Sequence, residues 1–127
     1  MQRIQVRTDR APGAAGPYSQ ALVVDRMVFV SGQLPIDAET GRIVDYGIRL
    51  QAKRAFDNLR LILEAAGTDM DHVVKTTVFL KDMNDFAVMN EVYGEFFQPP
   101  YPARSCIQVA RIPKDVLVEI EAIALLD

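Results

Sequence analysis

The amino-acid sequence predicts an α+β fold, a β-sheet with two helices on one face. Three observations predict it: an early hairpin pattern, two segments with helical periodicity, and β-branched apolar runs placed between and after them. The chain has 127 residues, half of them hydrophobic, which suits a single domain over residues 1–127 with a real core.

Taken in order, "ALVV" and "MVFV" flank Asp25–Arg26, the pattern of a hairpin with a two-residue connection. "IDAETGRIV" reads as a loop in which Gly41 takes a left-handed turn. In "YGIRLQAKRAFDNLRLILEAAG", Ile48, Ala52, Ala55, Phe56, Leu59, Ile62, Leu63 and Ala66 recur every three or four residues. That spacing makes one apolar stripe of a helix, with Asp45 placed to cap its start and Gly67 its end. "VVKTTVFL" is a strand. "DMNDFAVMNEVYGEFF" is a second helix with Met83, Phe86, Met89, Tyr93 and Phe97 inward, closed by Pro99, Pro100 and Pro102. The runs 103–110 and 116–125, separated by "RIPKD", are expected to form a terminal hairpin. The order is β-β-(β)-α-β-α-β-β.

The last strand is apolar on both faces: Val118, Ile120, Ala122 and Ala124 point one way, Leu117, Ile123 and Leu125 the other. Two helices cover one face only, so another subunit is expected to cover the second.

Composition excludes several classes of function. A net charge of -3 with no basic run predicts no general attraction to nucleic-acid phosphates. One cysteine cannot make an intramolecular disulfide, which points to a reducing compartment. With neither a signal-peptide core nor a stretch of about 20 apolar residues, the chain reads as cytoplasmic. The single histidine, His72, lies in a polar loop and reads as a surface residue. With one His and one Cys, metal and His-dependent nucleophile chemistry lose ground.

Charges nevertheless sit within the apolar terminal runs. Arg104 and Cys106 share one strand face, and Glu119 and Glu121 share another. A hairpin register pairing Cys106 with Glu119 would set Arg104 against Glu121; a one-residue slip would separate them. Arg104 then serves either a structural ion pair or a ligand, since its planar fork matches a carboxylate. A sheltered glutamate can exchange protons near neutrality. Tyr18, the Ser31–Gly32 pair and Asn90 are candidate pocket residues, each with a plain packing or turn alternative. Cys106 has no evident base beside it and reads as small buried packing.

The blocks "GPYSQAL", "VFVSGQLPID", "VVKTTVFLKDMNDFAVMNEVYGEFF" and "YPARSCIQVARIPKDVLVEIEAIA" resemble the RidA family, also called YjgF or L-PSP-like. The resemblance runs from about Ala11 to Ala124; Tyr46–Gly47 is a small departure at the start of the first helix. It implies a fold similar to trimeric chorismate mutase, a homotrimer, and clefts between subunits. It also implies hydrolytic deamination of 2-aminoacrylate, 2-iminopropanoate and 2-iminobutanoate to 2-oxo acids and ammonia, with no metal or organic cofactor. Carried over by position, the substrate-carboxylate arginine falls on Arg104 and the acidic proton carrier on Glu119. Tyr18, Ser31, Gly32, Asn90 and Cys106 fall on substrate-binding positions. Two rival readings are a small-acid sensor using the same cleft and, with less support from composition, an endoribonuclease or translation inhibitor.

Overall fold

The computed structural model describes residues 1–44 and 47–127. They run through β1 (Ile4–Val6), β2 (Ala21–Val24), β3 (Met27–Gln33), α1 (Gly47–Ala66), β4 (Val73–Leu80), α2 (Phe86–Phe96), β5 (Ala103–Gln108) and β6 (Val118–Leu125). Asp45, expected to cap the first helix, and Tyr46 lie outside the described residues. The strands form one sheet in the order β1-β2-β3-β6-β4-β5. Every pairing is antiparallel except β4 with β5.

The β2–β3 hairpin turns at Asp25–Arg26 as expected, with Asp25 at φ 54. Gly41 is left-handed (φ 72), although the loop around it adds only one bridge, Ile36 to Ile43. The short strand β1 escaped the sequence reading, because three residues are too few to show a period.

The expected terminal hairpin does not form. β5 pairs in parallel with β4, and β6 inserts between β3 and β4. A parallel pair needs a long crossover, and α2 supplies it. The order suits the polarity: β6 buries Val118, Ile120, Ala122 and Ala124 on its helix side and takes an interior place, whereas β5 ("ARSCIQ") has no buried residue and suits an edge.

Helix α1 buries Ala52, Ala55, Phe56, Leu59, Ile62 and Leu63 against the sheet, with Ile48 and Ala66 packed at the margin. It ends in a Schellman motif: Gly67 (φ 91) donates its N–H to Glu64 O, and Thr68 donates to Leu63 O, both at 3.0 Å. The second helix starts later than its apolar pattern suggests. Residues Met83–Asp85 form a 3-10 turn held by the Asp82 carboxylate, which accepts from the Asn84 N–H at 2.9 Å. Met89, Tyr93 and Phe97 are buried as expected, but Met83 and Phe86 are exposed. Phe56 joins the helices by edge-on contacts with Tyr93 (5.8 Å) and Phe96 (5.7 Å).

On β6 the alternation is clean: Val118, Ile120, Ala122 and Ala124 are buried under the helices. Met27, Phe29 and Ile107, at 40%, 39% and 46% exposure, lie with Ile123 and Leu125 on the other face, where no helix covers them. Among the described residues no helix is long and apolar enough to cross a membrane.

Asn58, fully buried on α1, donates from its amide to Leu34 O (3.0 Å) and Ile36 O (2.9 Å). It fixes the chain that leaves β3. Asn58→Ala should leave Ile36 O without its amide donor and Leu34 O with only the Ile36 N–H, lowering the unfolding free energy by about 1–3 kcal/mol. Chemical denaturation at matched protein concentration measures it; an unchanged midpoint would contradict this role.

Candidate functional site

The candidate residues fall into two groups, and the sheet separates them. In β4, Thr76 lies beside both Arg104 and Ala122, while Thr77 and Phe79 lie beside Glu121 and Glu119. Paired residues share a face. Arg104 and Cys106 therefore lie on the helix side, and Glu119 and Glu121 on the helix-free side. The in-chain juxtaposition expected of a hairpin does not occur.

The first group lines a cleft of about 540 Å³ bounded by Tyr18, Ser31, Gly32, Lys114, Glu119 and Glu121, among others. Its floor is a bulge: between Val30, opposite Ala122, and Gln33, opposite Ile120, two residues of β3 face one of β6. The two are Ser31 and Gly32. The Glu119 side chain lies directly over Gly32, so that a β-carbon there would approach its Cδ to 2.9 Å. A side chain at position 32 would have to displace the Glu119 carboxylate. Half-buried in this way, Glu119 has its carboxyl pushed above the ordinary range, chiefly by burial and secondly by the like charge of Glu121.

Hydrogen bonds hold the opposite wall. The Ser31 hydroxyl donates to Ser19 O at 2.6 Å, and its N–H donates to Gln20 O at 3.0 Å. The hydroxyl proton of Ser31 is thus committed to the scaffold. The buried Gln20 amide donates to Thr8 O (3.0 Å) and Pro12 O (2.8 Å), and its carbonyl accepts from Thr8 N–H at 2.8 Å. Tyr18 is 50% exposed, and its hydroxyl accepts from Ala15 N–H at 3.2 Å.

The second group lies at the β5 edge. The Arg104 guanidinium sits 4.7 Å from the Tyr93 ring centre and 5.6 Å from that of Phe86. Tyr93 is itself fixed by a 2.7 Å bond between its hydroxyl and Thr76 Oγ1. Among the described residues, no carboxylate lies within ion-pair distance of Arg104. The structural ion pair considered from the sequence is therefore absent within this chain. Asn90 stands four residues after Phe86 and three before Tyr93, on the helix side that carries the guanidinium. Cys106 is a free thiol on the same sheet face; burial pushes its pKa up, and nearby Arg104 opposes that.

His72 is a surface residue, its ring nitrogens 2.7 Å from carboxylates of Asp69 and Asp127. Among the described residues, no group of three His, Cys, Asp or Glu side chains is placed to hold a metal ion. The sequence reading missed Gln20, Asn58 and Lys114. A glutamine just before an apolar strand and an asparagine inside a helix stripe are the available signals for the first two. Lys114 reaches the cleft from a left-handed backbone (φ 61), followed by Asp115 at φ 57. Arg111 holds that turn by a two-pronged contact with Asp115 at 2.7 and 3.1 Å. Nothing in local periodicity announces it.

Gly32→Ala should force the Glu119 side chain aside, costing about 1 kcal/mol of stability, at the low end for overpacking because the carboxylate end can swing into the cleft. In a Glu119→Ala background most of that cost should vanish. A double-mutant cycle by denaturant titration measures the coupling; equal costs in both backgrounds would contradict the contact.

Residues 8–126 match the family model described as Endoribonuclease L-PSP. A RutC family protein of Pyrococcus abyssi is 54% identical over 98% of both chains. The human protein named 2-iminobutanoate/2-iminopropanoate deaminase is 49% identical over 94% of this chain and 88% of its own. The crystal structure of Escherichia coli TdcF with bound serine superposes with a TM-score of 0.92 at 49% identity, covering 97% of this chain and 98% of that one. The sequence blocks, the fold and these relatives agree: the chain belongs to the L-PSP, or RidA, family.

Proposed function

We propose that this chain forms a homotrimer that hydrolyses reactive enamines and imines of the 2-aminoacrylate, 2-iminopropanoate and 2-iminobutanoate type to 2-oxo acids and ammonia. The observation that carries the reading is the Arg104 guanidinium, held over the Tyr93 and Phe86 rings with no carboxylate among the described residues within ion-pair distance. Such a fork suits the carboxylate of a small acid. The human deaminase at 49% identity supports the reaction class. The serine bound to TdcF supports a ligand of amino-acid size.

In this reading the uncovered apolar sheet face packs against neighbouring copies. One copy contributes Tyr18, Ser31, Gly32 and Glu119; its neighbour contributes Asn90, Arg104 and Cys106. Arg104 clamps the substrate carboxylate and fixes the imine carbon beside a water, removing positional entropy from the barrier. Ionised Glu119 takes a proton from that water as its oxygen bonds to the imine carbon. The imine reacts with its nitrogen already protonated by solvent, so attack leaves a neutral carbinolamine and a protonated Glu119. Glu119 returns its proton to that nitrogen, the C–N bond breaks as ammonia leaves, and the hydroxyl proton passes to the re-ionised Glu119, leaving the 2-oxo acid. The raised proton affinity of Glu119 makes it a better base than an ordinary carboxylate. Tyr18 and Gly32 shape the wall, and the Cys106 backbone orients the imine or water. Water and these side chains supply every atom of the step.

The same clamp serves a protein that binds a small acid without turnover, and the serine in TdcF favours that second reading as well. Generating 2-aminoacrylate from serine with a dehydratase, and following pyruvate while semicarbazide competes for the imine, separates the two. Wild type should accelerate pyruvate formation, and Arg104→Ala should lose roughly 10- to 100-fold in kcat/KM, the worth of a charge-assisted clamp. Light scattering should give both proteins three times the 14.2 kDa chain mass. Because Glu119 must be ionised, activity should fall on acidification at a pH above the usual carboxylate range. A correctly assembled wild type that binds the acid without accelerating pyruvate would select the binding protein.

A further inference from the structure

We infer that Glu121 is a positioning residue for Glu119: its carboxylate, on the same strand face and open to the same cleft, makes Glu119 the stronger base and so sets the acidic limit of turnover. The inference rests on the reading that Glu119 moves protons.

Residues two apart on a strand point the same way and lie roughly 7 Å from one another. Thr77 and Phe79, the β4 partners of Glu121 and Glu119, mark that common face. Both glutamates line the 540 Å³ cleft. Glu121 also borders a second hollow of about 400 Å³ that extends to Phe29, Lys75 and Thr77. Among the described residues, neither carboxylate has a cation within ion-pair distance.

The charged and titratable groups that face the pair from neighbouring elements are few. Lys75 of β4 shares the face but donates to Ser105 Oγ at 3.3 Å. Lys114 reaches the cleft from the 113–115 turn, and Tyr18 from the loop before β2. β3 contributes only the uncharged Ser31, Gly32 and Gln33 to this wall. In the proposed trimer the neighbour's Arg104 joins them, equally in wild type and in a Glu121 variant. With no neutralising partner, the Glu121 charge acts on Glu119 across a half-buried gap. Like charges there favour the protonated form. Among the described residues the Glu121 side chain has no cation within ion-pair distance, and it is exposed within the chain.

Two neutral variants test this: Glu121→Gln keeps shape, and Glu121→Thr suits a strand should the amide disturb folding. Carbon-13 NMR of glutamate carboxyls, with the Glu119 signal assigned by its loss in Glu119→Gln, reads the midpoint directly in assembled protein. The expected result is a Glu119 midpoint at lower pH in both variants, with the acid limb of kcat/KM for the 2-aminoacrylate-derived imine moving the same way. A Glu119 midpoint that stays in place would overturn the inference, as would a midpoint that moves while the acid limb does not. Full turnover by Glu119→Gln would overturn the reading of Glu119 as the proton carrier, whatever the NMR midpoint does.

Discussion

A strand sends alternate side chains to opposite faces, and that alternation keeps Arg104 apart from Glu119 in any one copy of this chain. β4 fixes it. Its Thr76 stands beside Arg104 on the helix side, and its next neighbour Thr77 stands beside Glu121 on the other. No rotamer change carries either side chain through the sheet. The groups that suit a small imino acid are therefore split, one cation over aromatic rings and one sheltered carboxyl over glycine. A second copy of the chain can bring them together. The apolar face that carries Phe29 and Ile107 offers the surface on which it would dock.

Each half is held by bonds that do no chemistry themselves. Ser31 spends its hydroxyl proton on Ser19 O, Gln20 gathers residues 8–12, and Asn58 grips Leu34 and Ile36. These bonds surround the bulge at Ser31–Gly32, where the pairing with β6 gives way to a cleft. On the other side Thr76 fixes Tyr93, and Tyr93 supports the guanidinium. Buried amides with every bond made are rigid, and rigidity at the wall is what a site for a small, short-lived substrate requires.

The helices and the first hairpin were legible because their signals are local: a stripe from Ala52 to Leu63, and two apolar runs around Asp25–Arg26. The alternating burial of β6 was legible for the same reason. Strand order was not. A period of two tells which residues share a face of one strand, but it does not say which strand lies beside it. The sequence reading therefore joined β5 to β6, with Arg104 beside Glu121 in one of the hairpin registers it left open, although a helix between β4 and β5 allowed a parallel pair. Phe86 misled in a related way. It continues an apolar stripe, yet it is exposed beside Arg104, and an apolar pattern does not separate a core ring from one that supports a cation. The candidate residues were legible from their chemistry and strand alternation, and the family blocks gave them roles; their division between two faces came only from the fold.

A site shared between copies is tested most directly by complementation. Arg104→Ala retains Glu119, and Glu119→Gln retains Arg104, so each variant alone should keep no more than about a tenth of wild-type kcat/KM. Co-expressed in equal amounts, they should regain activity, with roughly a quarter of the interfaces pairing an intact Glu119 with an intact Arg104 under random mixing. Mixed assemblies, verified by mass, that remain as inactive as the separate variants would contradict a site built from two chains.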